Sequence, residues 1–261
     1  MSGRVVIVTG ASSGIGAATA RAFGRAGDRV VITGRRAERL QALASELPDT
    51  VVVPADLTEP GSVAKVVDAA VGRYGTVDVL VNNAGTARCY DWLERVAEGD
   101  IRAEIEVNLV VPVLLARAVL PLMQARGRGV IVNVASVAGK VGAPTTSIYN
   151  TAKFGLDGFT QALRREVLSQ GVQVCIIYPG PTSGTEFGRH RSPNRMRIGR
   201  PAFMSTTAEA VADAIVGLAD RPRARRVIPP LFAPIIAVNS VWPALVDRIV
   251  VRAARRARQR G

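Results

Sequence analysis

Thr9-Gly10-Ala11-Ser12-Ser13-Gly14-Ile15-Gly16 ends the apolar run Arg4–Thr9 and opens the helical stretch Ala17–Ala26. Glycines at a strand-to-helix turn let the backbone bend tightly and approach a pyrophosphate. The charge of that group is favoured by the exposed N–H groups and dipole of the helix N-terminus. The spacing is Gly-x-x-x-Gly-x-Gly and not G-x-G-x-x-G, so taken alone the motif also fits a tight chain reversal that holds nothing. Its strand-turn-helix context favours a ligand, and Gly10, Ser12, Ser13, Gly14, Ile15 and Gly16 become candidate nucleotide contacts.

Outward from this turn, short apolar runs alternate with helix-length amphipathic stretches. Arg4–Thr9, Arg29–Thr33, Val51–Val53, Val77–Val81, Gly129–Val134 and Val172–Ile177 read as strands. That rhythm predicts a parallel sheet, and near-continuous Val and Ile predict helices on both faces. The expected class is α/β: a Rossmann-type, doubly wound parallel sheet in one domain, followed by a basic amphipathic C-terminal extension. Ligands of such sheets bind at the carboxyl ends of the strands, where the strand order reverses. Residues at strand ends are therefore the functional candidates.

The second strand runs into Gly34-Arg35-Arg36, about 20 residues past the glycines, where a site for unphosphorylated ribose would offer Asp or Glu. A guanidinium there pairs with a 2′-phosphate. The reading is NADPH over NADH, with Arg35 as first contact and Arg36 second, or as a solvated residue opening the next helix. Asp56 after the third strand accepts from the adenine amino group or caps a helix, and Leu57 packs on the base. Asn82-Asn83-Ala84-Gly85 after the fourth strand lets the chain pass close to a flat ligand; Asn83 also fits a turn residue.

Ser136 closes the fifth strand, and thirteen residues later Tyr149-Asn150-Thr151-Ala152-Lys153 opens a helix. A Tyr and a Lys at i, i+4 share one face. An unperturbed Tyr, with a pKa of about 10, is a poor base near neutrality. A neighbouring ammonium stabilises phenolate and brings the phenol towards the working range. Lys153 can supply that charge and hydrogen-bond a nicotinamide ribose. Only 3 of the 34 basic residues are lysine, which makes the coincidence with a strand-end Ser and a glycine turn hard to assign to chance.

Thr9–Gly16, Asn82–Gly85, Asn108, Ser136, Tyr149 with Lys153, and Pro179-Gly180 together resemble the short-chain dehydrogenase/reductase family in order and spacing, over roughly residues 3–220. The resemblance implies that Tyr149 donates or accepts the substrate proton and Ser136 holds the substrate oxygen. It also implies that Lys153 binds ribose, and that Asn108, in the apolar stretch Val107–Val119, fixes a water linking Lys153 to solvent. A buried structural amide is the alternative for Asn108. The family usually follows Pro-Gly with a Thr at the nicotinamide amide. Here Pro179-Gly180-Pro181-Thr182-Ser183-Gly184-Thr185 matches that offset imperfectly, and the contact stays open between Thr182 and Thr185.

Residues 184–204 fall where the family places a substrate lid. Five Arg against one Glu there suit an anionic, carrier-linked acyl substrate, while Phe187, Met196, Ile198, Phe203 and Met204 suit a lipophilic alcohol or ketone, the leading class. His190, the single histidine, has no second ligand at useful spacing, so no metal is expected. The alternative to a catalyst is an NADP(H)-sensing regulator on the same fold. A homodimer or homotetramer is expected through the helices carrying Asn108 and Tyr149, with outer faces apolar at Leu114, Val119, Phe159 and Leu163.

The net charge of +13 is concentrated at one end: +3 over residues 1–183, +1 over 184–220 and +9 over 221–261. A terminal basic segment argues for an attachment surface, for which anionic lipid, nucleic acid and an acidic partner all qualify, with nucleic acid not the partner expected. The expected division is an oxidoreductase domain over 1–226, lid included, and an extension over 227–261. Val227–Val246 is 20 residues without charge, but Pro229, Pro230, Pro234 and Pro243 oppose a continuous helix. From Trp242, helical spacing gathers Trp242, Leu245, Val246, Ile249, Val250 and Ala253 on one face and Arg248, Arg252, Arg255 and Arg258 on the other. Such a helix lies against an anionic membrane, or packs on the domain or on a second subunit. With residues 1–9 running directly into a strand and two distant cysteines, Cys89 and Cys175, a cytoplasmic protein is expected, with membrane association at the inner surface through the tail.

Overall fold

Val5–Thr9 is buried at every position, and the same saturation with Val and Ile recurs in the strands that flank it. A strand that must be apolar on both sides is one covered by helices on both sides. The computed structural model describes residues 3–187 and 204–258. Its elements run β1 (Val5–Thr9), α1 (Gly14–Arg25), β2 (Arg29–Gly34), α2 (Ala37–Ala44), β3 (Thr50–Pro54), α3 (Ser62–Tyr74), β4 (Val79–Asn82), α4 (Glu98–Ile105) and α5 (Val111–Ala125). They continue as β5 (Gly129–Val134), α6 (Ser147–Val167), β6 (Val172–Pro179), β7 (Thr182–Ser183), β8 (Thr206–Thr207), α7 (Ala208–Asp220), β9 (Arg225–Ile228), α8 (Phe232–Val241) and α9 (Pro243–Arg258).

Seven strands form one parallel sheet in the order β3-β2-β1-β4-β5-β6-β9, while β7 and β8 pair separately. The order reverses between β1 and β4, which is where a doubly wound sheet opens its ligand crevice. Because successive side chains point to opposite faces, the strands divide their apolar residues between two cores. Val6, Val8, Val30, Ile32, Val81 and Val132 pack with Phe23 of α1, Leu40 of α2 and Ile215 of α7. Ile7, Val31, Leu80, Ile131 and Val174 pack with Val66 of α3, Leu115 and Met123 of α5 and Leu163 of α6. Each such Val, Ile or Leu contributes about 1.5–3 kcal/mol by leaving water. The result is a single Rossmann-type α/β domain.

Three features depart from the sequence reading. The edge strand β9 was not foreseen: Arg225 and Arg226 are exposed, and an edge strand need not be apolar. The division between residues 226 and 227 falls inside this strand, so the sheet runs on to Ile228. Val119 and Leu163, expected on an outer helix face, are buried in the core. The exposed large apolar residues of α5 and α6 are Leu114 and Phe154.

Past β9 the chain forms two helices, α8 and α9, bent by 112° at the break before Pro243. Proline has no N–H to donate and clashes with a preceding helical turn, so the chain turns there. The 28-residue span from Glu98 to Ala125 is apolar and long enough to cross a membrane, but α5 within it is part of the core described above.

Candidate active site

The crevice is built from the ends of β1 and β4. The Thr9 hydroxyl accepts from the backbone N–H of Asn83 and of Ala84, each at 2.9 Å, and donates to the Val81 carbonyl at 3.2 Å. The Asn83 side chain donates to the Thr9 carbonyl at 2.8 Å, so it binds a neighbouring strand and not its own turn. Gly10 sits at φ +66°, and a side chain there would meet the Ala84 Cα at 2.8 Å. A Cβ at Gly16 would lie 2.3 Å from the Gly10 carbonyl oxygen. Only glycine lets the turn close on β4 and lets α1 start beside it, leaving the N-terminus of α1 aimed outward with the Ser13 side chain unused as a cap.

At the end of β2 the two arginines differ. Arg36 donates to the Ser12 carbonyl and hydroxyl and, at 2.8 Å, to the Ser13 hydroxyl, which fixes its guanidinium on the glycine turn. Arg35 is 65% exposed and reaches Asp56 only at 4.0 Å. Arg36 is thus the guanidinium held on the turn, and Arg35 the one left largely in solvent. Arg39, one turn into α2 and unnoticed in the sequence, joins it through Glu186, which accepts from Arg36 at 2.5 Å and from Arg39 at 2.8 Å. Asp56 caps its own turn by accepting from the Thr58 N–H at 3.1 Å and hydroxyl at 2.8 Å; α3 begins later, after Gly61. Leu57 is buried in the core against β1, β2 and β3.

The second wall carries the titratable groups. Tyr149 and Lys153 lie one turn apart on α6, with the Lys153 ammonium 5.8 Å from the Tyr149 ring centroid. Tyr149 is 6% exposed, and Tyr90 and Phe187 stand at 6.3 and 5.7 Å from it, ring to ring. Lys153 is 4% exposed and donates to the Val134 carbonyl at 3.1 Å. Burial pulls the Lys153 ammonium down to about 8, and the carboxylate of Glu104 partly offsets this. Ser136, at the end of β5, accepts from the Ala138 N–H at 3.1 Å and faces the Pro179 carbonyl at 3.4 Å. Asn108 lies in a π-helical turn, Glu106–Val110, between α4 and α5. Its amide donates to the carbonyls of Thr86 and Glu104 at 2.8 and 2.9 Å, and its Oδ1 is a buried acceptor with no protein donor. A π turn spares one backbone carbonyl and re-aims a side chain, a device common at functional sites.

A family model described as short chain dehydrogenase matches residues 4–195. The chain belongs to the short-chain dehydrogenase family. Relatives include a dehydrogenase/reductase SDR family protein 7-like from Anopheles gambiae, 36% identical over 189 residues, a match covering 69% of this chain and 59% of that protein. The chain thus matches under two thirds of that relative's length. A metagenomic short-chain oxidoreductase in complex with NADP superimposes with a TM-score of 0.74 at 31% identity, covering 87% of this chain and 97% of that one. A 3-ketoacyl-(acyl-carrier-protein) reductase from Brucella melitensis complexed with NADH gives 0.78 at 28% identity, covering 86% and 96%.

Several hydrogen bonds that hold the candidate site together carry no signal in the sequence. Asn82 donates to Asn133 at 2.9 Å and Asn133 to the Thr160 hydroxyl at 2.8 Å, a buried ladder that ties β4 and β5 to α6 behind Lys153. Lys140 pairs with Asp157, which also accepts from the Tyr178 hydroxyl, so the loop after Ser136 is anchored to α6 and β6. Asn150 accepts from Thr146 and donates to Val141, holding the rest of that loop. Such amides and hydroxyls are unmarked in a sequence because any strand or helix can carry one. Thr182 donates to the Gly180 carbonyl at 3.0 Å and Thr185 to the Thr182 carbonyl at 3.3 Å, and Thr185 lies over Gly14. His190, Met196, Ile198 and Phe203 lie outside the described residues. Cys175 is buried in the sheet core, and among the described residues no cluster of three metal-ligating side chains occurs.

Proposed function

We propose that this chain is an NADP(H)-dependent carbonyl/alcohol oxidoreductase with Tyr149 as its acid/base and a lipophilic substrate. The observation that supports the reading is the buried pair Tyr149 and Lys153 one turn apart on α6, together with a glycine turn that closes too tightly for any side chain and a spare buried acceptor on Asn108. The close backbone approach at Gly10 and Gly16, and the spare acceptor on Asn108, fit a dinucleotide and an ordered water. Residues Gly10–Gly16 and Arg36 would hold its phosphates, with Arg35, Asp56 and Leu57 towards the adenosine, and Asn83–Gly85, Pro179–Gly180 and Thr182 or Thr185 towards the nicotinamide. When bound, the nicotinamide gives or takes the hydride.

The protein's own part is proton transfer and positioning. In the reductive direction the Tyr149 hydroxyl gives its proton to the carbonyl oxygen, which the Ser136 hydroxyl orients. The Lys153 ammonium stabilises the phenolate left behind and hydrogen-bonds the ribose. Asn108 Oδ1 accepts from a water through which Lys153 is resupplied. Water is kept from Tyr149 by Tyr90, Phe187, Ala87 and Ala138, and this apolar wall supports a lipophilic alcohol or ketone over a charged acyl carrier. Self-association through Leu114 and Phe154, and a basic tail on an anionic membrane, complete the reading.

The test is NADPH oxidation with a panel of long-chain and aromatic ketones and aldehydes, run beside Tyr149→Phe. Turnover in the parent that is lost in the variant supports an oxidoreductase. Tight NADPH binding with no carbonyl consumed would leave the sensor.

A further inference from the structure

Two guanidinium groups at the head of the glycine turn already hold an anion, and it belongs to the protein. Arg36 and Arg39 both donate to one oxygen, Oε2, of Glu186, at 2.5 and 2.8 Å. Arg36 is at the same time fixed by Ser12 and Ser13, whose hydroxyls border the same place. We propose that Glu186 occupies the seat of the cofactor's 2′-phosphate and sets, by competition for Arg36 and Arg39, how strongly the site selects a phosphorylated dinucleotide. This inference rests on the NADP(H) reading above.

Topology puts the seat in the right position. Arg36 immediately follows β2, and the adenosine ribose of a dinucleotide in a doubly wound sheet reaches the end of that strand. Chemistry matches as well: planar forks converging on one point are better satisfied by a phosphate dianion, with three acceptor oxygens, than by one carboxylate oxygen. There is room, since a cavity of about 390 Å³ opens alongside, lined in part by Ser12, Ser13, Gly14, Arg39 and Glu186. The two guanidinium groups hold the Glu186 carboxyl well down, at about 2, so it is an anion throughout the working range of pH.

An internal anion of this kind acts on one class of ligand only. A dinucleotide with a 2′-phosphate must displace Glu186 to gain Arg36 and Arg39, whereas one with a free 2′-hydroxyl leaves the ion pairs in place. Neutralising Glu186 should therefore strengthen the phosphorylated ligand and leave the other alone. For two partly exposed ion pairs the expected gain is about fivefold in affinity.

The experiment titrates the full chain with 2′,5′-ADP and, separately, with 5′-AMP by calorimetry, for the parent, Glu186→Gln, Arg36→Ala and the double variant. The expected result is tighter 2′,5′-ADP binding in Glu186→Gln with 5′-AMP unchanged, and loss of that gain when Arg36 is also removed. Unchanged or weaker 2′,5′-ADP binding in Glu186→Gln overturns the inference, as does an equal gain for both ligands. A parent with no preference for 2′,5′-ADP refutes the NADP(H) reading separately. If Glu186→Gln then reveals a preference, Glu186 is still the selecting residue; if it reveals none, both fall.

Discussion

Asn83 and Thr9 hold each other across the point where the strand order reverses: the Asn83 amide donates to the Thr9 carbonyl at 2.8 Å, and the Thr9 hydroxyl accepts the Asn83 backbone N–H at 2.9 Å. The pair sets the distance between the glycine turn and the loop that would flank the nicotinamide. Asn83→Ala removes one of these bonds and leaves a carbonyl to be satisfied otherwise, at a cost of about 1 kcal/mol. A fall in Tm of roughly 2–4 °C is expected for a domain of this size, with a larger proportional loss of dinucleotide affinity. Thermal melts with and without NADPH check this; equal shifts in both would confine the bond to stability.

Tyr149→Phe keeps the ring that packs against Tyr90 and Phe187 and deletes only the hydroxyl. The fold and NADPH affinity should be retained, while kcat falls by about 10²–10⁴-fold, the usual contribution of a general acid/base. Stopped-flow measurement of NADPH oxidation decides it, and near-parental turnover removes Tyr149 from the mechanism.

Lys153 gives a dependence on pH whose sign is fixed by its burial. Its ammonium is depressed to about 8 in the folded protein from an ordinary value of 10.5. Below pH 8 the charge that stabilises the phenolate is present; as pH rises through 8 it is lost, and alcohol oxidation should fall. Stability moves the opposite way. Between about 8 and 10.5 the unfolded chain binds a proton that the folded one has released, so this group's contribution to stability rises with pH over that window. Comparing Lys153→Met with the parent isolates the effect: a stability difference independent of pH from 7 to 10 would contradict it.

What the sequence disclosed and what it withheld divide along physical lines. The switch point, the glycine turn and the Tyr149/Lys153 pair were legible because each demands a residue type at a fixed spacing: a left-handed Gly10, an apolar strand, two side chains one turn apart. The edge strand β9 was not, because its Arg225 and Arg226 need satisfy only one neighbour and solvent. Nor was the fixing of Arg36 on the glycine turn, which depends on where the backbone leaves β2 and on Ser12 being within reach. Glu186 lies 150 residues from Arg36 and no local pattern links them. Asn82, Asn133 and Thr160 form a network only after three elements pack.

Arg35 and Arg36 can be separated by experiment. Arg36→Ala removes the contacts to Ser12 and Ser13 and leaves Glu186 to Arg39, and it should lower NADPH affinity by tenfold or more, consistent with loss of a charge-assisted contact of about 1.5–3 kcal/mol. Arg35→Ala removes an exposed side chain and should cost under threefold, as exposed ion pairs do. Fluorescence titration with NADPH and NADH measures both. A larger loss from Arg35 would return it to the leading place the sequence suggested.

The last prediction concerns the tail. Trp242 and Ile249 are 67% and 65% exposed, and Leu245 and Val241 beside them also face solvent. On the same helix Val246 and Val250 are half-buried and Ala254 is buried, so the exposed stripe of α9 is made of Trp242, Leu245 and Ile249. α8 is tied back by Asn239 donating to the Lys140 carbonyl at 3.0 Å. The bend before Pro243 leaves α9 with an apolar stripe and with Arg248 and Arg252 exposed, the arrangement of a helix lying in a lipid interface. Each arginine near an anionic surface is worth about 1 kcal/mol, so binding should weaken as salt rises. The full chain is expected to co-sediment with vesicles containing phosphatidylserine at low salt and to be released at high salt. Trp242→Ser with Ile249→Ser should abolish binding with NADPH affinity unchanged, whereas Arg248→Glu with Arg252→Glu should abolish it only for anionic vesicles. If the apolar double variant instead dissociates an oligomer and the parent ignores vesicles, the stripe is a subunit contact and not a lipid-facing surface.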